Sequence, residues 1–195
     1  MKKGRLEAFS DGVIAIIITI MVLEMKVPHG SAIESLKPLL PVFISYVLSF
    51  IYIAIYWNNH HHMLQAAHTI TGRILWANMH LLFWLSLIPF VTGWLGENNF
   101  TKWPSFFYGF VLFMTAIAYT VLAKLLVNHH GKDSTLSRSV GKDSKGKISL
   151  IIYFIAMLTA LVNSWISLAL YVVVAITWII PDSRIEKRLK EEGTE

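Results

Sequence analysis

The sequence contains no cysteine. That excludes disulfides, thiolate metal sites and thiol nucleophiles, and leaves the redox compartment open. Charge is also scarce, with Asp, Glu, Lys and Arg making up 15% of the 195 residues where soluble domains run to roughly 25%. No TVGYG-like filter string, arginine-rich voltage sensor, P-loop or GxSxG elbow occurs. These absences exclude a potassium channel of the usual carbonyl-filter type and count against ATP-driven transport by this chain alone. No cleavable signal peptide is evident either. The first apolar stretch is too long for a signal h-region and lacks a small-residue cleavage site, so it is expected to stay as a mature helix.

What remains is largely apolar: hydrophobic residues are 55% of the chain and aromatics 13%. This is the composition of a membrane protein. Hydropathy predicts an all-α protein with spans near 6–25, 39–63, 74–95, 104–127, 148–162 and 165–180, forming one domain over 1–181. The last pair is the hardest to divide. Ile148 to Ile180 is long for one span and short for two, and two short helices turning near Asn163 and Ser164 are expected. Charge supports that choice. With six spans and both termini cytoplasmic, all of the 17 Lys and Arg residues fall inside except Lys26, Lys37 and Lys102, as the positive-inside rule requires. The net charge of +5 is thus placed by membrane topology, and no nucleic-acid partner is expected.

Two segments read as lying outside the membrane. His129 to Lys147 is a polar, Gly- and Ser-rich stretch expected to form a cytoplasmic loop. Asp182 to Glu195 is a charged tail, with Ile185 and Leu189 at i,i+4 and Glu186 and Lys190 spaced as a helical ion pair. Lys37-Pro38 and Pro41 open the second span, where a missing donor is harmless. Pro89 is expected to kink the third. Trp94, Trp103 and Trp178 fall near span ends, as interfacial aromatics do.

The first span, LEAFSDGVIAIIITIMVLEM, carries the most chemistry. Ile16, Ile20 and Leu23 recur at i, i+4 and i+7, with Phe9 on the same face and Thr19 at its edge. Around an axis, this stripe would stack rings of aliphatic side chains that gate by dewetting, with threonine hydroxyls beside them. The plainer alternative is that these residues pack on neighbouring helices or lipid. Asp11, an acid at membrane depth, lies on another side of the helix and either takes part in conduction or accepts hydrogen bonds from a neighbouring helix. His60, His61 and His62 follow Trp57 in the second span, and His80 follows Trp76 by four in the third. Adjacent helical residues point about 100° apart, so the three histidines cannot share one metal. One of them with His80 and Asp11 could, although interhelical hydrogen bonding is the commoner use.

Arg5 followed by Phe9-Ser10-Asp11 resembles the RxxxFSD signature that opens the first helix of the transmembrane protein 175 family of potassium channels. The continuation GVIAIIIT, Tyr56-Trp57 with His61, and Asn78 with Pro89-Phe90 fit the same pattern. The likeness runs through the third span, and beyond it rests on helix count.

The resemblance implies an all-α membrane fold of six helices per subunit, assembled as a homotetramer in the plasma membrane, without a carbonyl selectivity filter. The first helix would line the pore, with Ile16 the main constriction, Ile20 and Leu23 further rings, and Thr19 with Ile16 setting selectivity. Arg5, Phe9, Ser10, Asp11, Trp57, His61, Trp76 and His80 would form the network that holds that helix. Which of His60, His61 and His62 takes part stays open. The implied function is passive conduction of potassium and other monovalent cations, with no cofactor beyond the permeant ion and with lipid as the other partner. A proton- or metal-coupled transporter using Asp11 and the histidines is the alternative. A membrane-embedded enzyme with histidine ligands is a third.

Overall fold

The computed structural model describes residues 3–131 and 144–179. The chain runs through α1 (Lys3–Leu23), a short 3₁₀ turn (Ile33–Leu39), α2 (Leu40–Gln65), α3 (Gly72–Ser86), α4 (Ile88–Glu97), α5 (Lys102–His130), α6 (Ser144–Ala160) and α7 (Ser164–Ile179). Among the described residues there is no strand. The segments Lys3–Leu23, Ile33–Gln65, Gly72–Glu97 and Lys102–His130 are each long and apolar enough to cross a membrane. With α6 and α7, at 17 and 16 residues, they make six membrane helices. The last two are at the short end of spanning length and suit a locally thinned or tilted arrangement.

The helix ends follow from local chemistry. Pro41 sits in the first turn of α2, where its missing N–H is one that a helix leaves unpaired anyway. The Thr71 side chain accepts from the Ile74 N–H at 3.4 Å and caps α3. The third span is interrupted at Leu87, two residues before Pro89, so α3 and α4 are two helices in series. Proline removes a backbone donor and crowds the preceding turn, which accounts for the break. After α4 the chain reverses through Asn99 and Phe100 at φ 48° and 59°, the left-handed region that ordinary residues avoid. The Phe100 N–H donates to the Leu95 carbonyl at 3.0 Å and holds that corner. Between α6 and α7, Asn163 Oδ1 accepts from the Trp165 N–H at 3.0 Å, so the turn falls where the sequence placed it.

Two boundaries differ from the sequence reading. His129 and His130 belong to the last turn of α5, and Ser144 to Lys147 to the first turn of α6. The polar stretch between them is therefore shorter than expected, because the helices carry polar residues past the apolar limit. Residues 132–143 and the charged tail 182–195 lie outside the described residues.

α5 packs against α3 and α6, α6 against α7, and α2 against α4, while α1 rests on α2, α3 and α4. Two glycines allow the closest approaches. A Cβ at Gly96 would lie 2.6 Å from the Val42 Cα, and one at Gly109 would collide with the Tyr171 hydroxyl. Buried hydroxyls find partners inside. Ser49 bonds both Thr92 and Tyr108, at 2.7 and 3.1 Å, and Tyr52 donates to the Tyr171 carbonyl at 2.6 Å. In hydrocarbon such groups have no water to turn to, so their pairing helps fix how α2, α4, α5 and α7 fit together.

Candidate functional site: the first helix and its support

The two sides of α1 have different surroundings. Leu6, Ser10, Ile14, Ile17 and Met21, spaced by threes and fours, are buried against the subunit. Phe9, Ile16, Ile20 and Leu23 face away from it and are 53%, 58%, 41% and 79% exposed. The aliphatic stripe seen in the sequence is therefore the side of the helix that its own subunit leaves uncovered. Beside it runs an open groove of about 660 Å³ between α1 and α4, lined by Ile16, Ile20, Pro89, Phe90 and Trp94. The Thr19 hydroxyl donates to the Ile16 carbonyl at 2.8 Å. That bond uses its hydrogen and leaves the oxygen's remaining lone pair free.

The N-terminal half of α1 is held by polar contacts. Trp57 Nε1 donates to Asp11 Oδ1 at 3.0 Å, and the Trp57 ring stacks on His61 at 5.9 Å between centroids. On the buried side, Asn78 Nδ2 donates to Ser10 Oγ at 2.9 Å, and Ser10 Oγ donates to the Leu6 carbonyl at 2.9 Å. Asn78 Oδ1 then faces His60 Nε2 at 2.7 Å. Because that amide oxygen only accepts, His60 carries its hydrogen on Nε2. Near the start of the helix, Lys3 Nζ donates to the Gln65 carbonyl at 2.9 Å.

Of the residues expected in the network, the structure brings together Ser10, Asp11, Trp57 and His61, in two separate clusters. It does not bring Arg5, Phe9, Trp76 or His80 to them within the subunit. Arg5 is exposed, and no described residue is hydrogen-bonded to its side chain. Trp76 is 78% exposed. His80 accepts from Trp84 Nε1 at 2.9 Å along its own helix. Of the three adjacent histidines, among which the sequence left the choice open, His60 is the one that meets α1 through Asn78. One signal was available: His60 continues the i,i+4 series of Tyr52 and Tyr56, two residues whose face is buried. Among the described residues, no three His, Asp or Glu side chains gather as metal ligands. Asp11 and His80, two of the three ligands in that suggestion, are each engaged with a tryptophan instead.

A bundle of six membrane helices, with an aliphatic face of the first presented away from its own subunit, defines an integral membrane protein of all-α fold. Residues 5–89 match the family described as endosomal/lysosomal potassium channel TMEM175. A protein of Chryseobacterium sp. strain P1-3 that is named a potassium channel is 53% identical over 191 residues, covering 98% of this chain and all of the other. The crystal structure of a lysosomal potassium-selective channel TMEM175 homolog from Chamaesiphon minutus superposes with a TM-score of 0.79 at 29% identity, covering 91% of this chain and 96% of that one. A Gallus gallus protein named endosomal/lysosomal proton channel TMEM175 is 38% identical over 73 residues, 31% of this chain and 15% of that protein. The chain belongs to the TMEM175 family.

Proposed function

We propose that this protein is a passive, potassium-permeable cation channel and that α1 lines its pore. It is not an enzyme; its family and relatives are channels. One observation carries the assignment of the pore. The helix that is polar at its inner end turns a continuous aliphatic face, Ile16, Ile20 and Leu23, away from its own subunit. A face of that kind is stable against lipid or against copies of itself. Four copies around an axis would turn it into stacked apolar rings, which resist wetting and so gate ions without a carbonyl cage. Ile16 is the main constriction in this reading. Thr19, one turn along, offers hydroxyl oxygens to an ion that has shed part of its water. Selectivity over sodium is modest, since no array of backbone carbonyls surrounds the path.

The homotetramer and the plasma membrane belong to the same proposal, as does the cytoplasmic placement of both termini, which the distribution of basic residues supports. So does the division into one membrane domain over 1–181 and a cytoplasmic tail from 182. Asp11 in this scheme positions α1 through Trp57 and does not ligate the ion.

The decisive experiment is potassium flux in liposomes reconstituted with Ile16→Asn. An amide ring at the constriction should hold water and raise the leak severalfold over the parent protein. An unchanged flux from a folded variant would remove α1 from the pore. Measuring at symmetric pH separates a channel from a proton-coupled transporter, whose potassium current vanishes without a proton gradient.

A further inference from the structure

The α2–α3 corner, residues 66–71, is fastened to the last turn of α5 by a pair of histidines. His130 Nε2 lies 3.0 Å from the backbone nitrogen of His68 and 3.3 Å from that of Thr69. Its Nδ1 lies 2.9 Å from the Leu126 carbonyl. A carbonyl oxygen accepts only and a backbone N–H donates only, so His130 must carry its hydrogen on Nδ1 and keep Nε2 bare. Only the neutral form of the ring, in that one tautomer, satisfies all three contacts. Its neighbour differs. His129 Nε2 meets the Thr69 hydroxyl at 2.9 Å, and a hydroxyl serves as donor or acceptor, so that contact survives either protonation state.

The corner is joined to the pore helix twice. Gln65, just before it, receives Lys3 of α1. α3, which follows it, carries the Asn78 that binds Ser10. We infer that His130 is a proton-sensitive latch: acidification on the face of the membrane that holds the start of α1 releases the α2–α3 corner from α5 and alters conduction. When Nε2 takes up a proton it becomes a donor pointed at two donors, and both backbone contacts are lost together. The surroundings add to the effect. The titratable and charged groups described on the elements packed there are Lys3 and Glu7 on α1, paired at 3.8 Å, His61 and His62 on α2, His68 in the corner, Arg73 on α3, Lys124 and His129 on α5, and Lys145 and Lys147 on α6. Lysines and an arginine outnumber the one carboxylate among these described groups, so a new cation on His130 enters a largely basic neighbourhood.

The regulatory half of this inference rests on the channel reading above, while the latch itself is tested without it. Hydrogen exchange of the full chain in detergent, corrected for intrinsic rates, should show protection of the His68 and Thr69 amides falling about tenfold from pH 7.5 to 5.5, the scale of one lost hydrogen bond. His130→Gln, whose side-chain oxygen accepts in the place of Nε2 and does not titrate, should keep its protection across that range. His129→Gln should remain pH-sensitive. Potassium flux at symmetric pH should change over the same interval in the parent protein and not in His130→Gln. Protection that is indifferent to pH, or equally sensitive in His130→Gln, would overturn the latch. A flux with the same pH dependence in both proteins would overturn its regulatory role. Absence of potassium flux at every pH would count against the channel reading and leave the exchange result to decide the latch.

Discussion

Trp57 Nε1 donates a hydrogen bond of 3.0 Å to Asp11 Oδ1. Asp11 is thereby engaged with a neighbouring helix and does not point along the aliphatic stripe. A hydrogen bond to a carboxylate contributes more than one between neutral groups. Trp57→Phe keeps the ring and removes the donor, and should destabilise the subunit by about 1–2 kcal/mol. Asp11→Asn, which retains an acceptor oxygen, should cost less. Thermal midpoints in mild detergent check the order, and a larger loss for Asp11→Asn than for Trp57→Phe would contradict it.

Asn78 bridges His60 and Ser10, and all three are buried. Asn78→Ala strands a donor on His60 and an acceptor on Ser10 in a place water does not reach. The expected cost is about 3 kcal/mol, seen as a lower thermal midpoint. Asn78→Asp should not rescue it, because a charge at that depth brings its own desolvation penalty.

Thr19 offers the only hydroxyl on the last two turns of α1. Thr19→Val preserves shape and removes the oxygen, so the reversal potential under potassium–sodium exchange should move towards the unselective value. Thr19→Ser should stay near the parent. Equal reversal potentials in all three proteins would take Thr19 out of the ion's path.

Gly109 and Tyr171 make a complementary pair across α5 and α7, since a methyl group at Gly109 would meet the tyrosine hydroxyl. Gly109→Ala should destabilise by about 1–3 kcal/mol through overpacking. Tyr171→Phe in the same chain should recover part of that loss. A double-mutant cycle measures the coupling, and strict additivity would show that the two positions do not touch.

The fold was legible where apolar length alone decides it. α1, α2 and α5 follow from long hydrophobic runs, and the break before Pro89 follows from proline's missing donor. The turn at Asn163 needed the charge argument as well, because hydropathy by itself runs α6 and α7 together. The polar helix ends were not legible: His129, His130, Lys145 and Lys147 are loop-like in composition, and only tertiary contact or continued backbone bonding makes them helical. The split face of α1 was visible in its period. Its support was visible in part. Asp11 with Trp57 could be anticipated as an acid needing a partner, but the choice of His60 over its neighbours depends on the rotation of α2 against α3. A run of three histidines does not encode that rotation, since each occupies a different side of the same turn.

The polar contacts of α1 with the rest of its subunit all lie in its first three turns, at Lys3, Ser10 and Asp11. Beyond them, Ile14, Ile17 and Met21 are held by apolar packing alone. Hydrogen bonds have direction and break when displaced, whereas aliphatic surfaces slide past one another at little cost. The helix is thus a rod clamped at its N-terminal end and merely bedded along its C-terminal half. A small tilt about the clamp would be magnified with distance from it, and Leu23, at the far end, would swing through the widest arc.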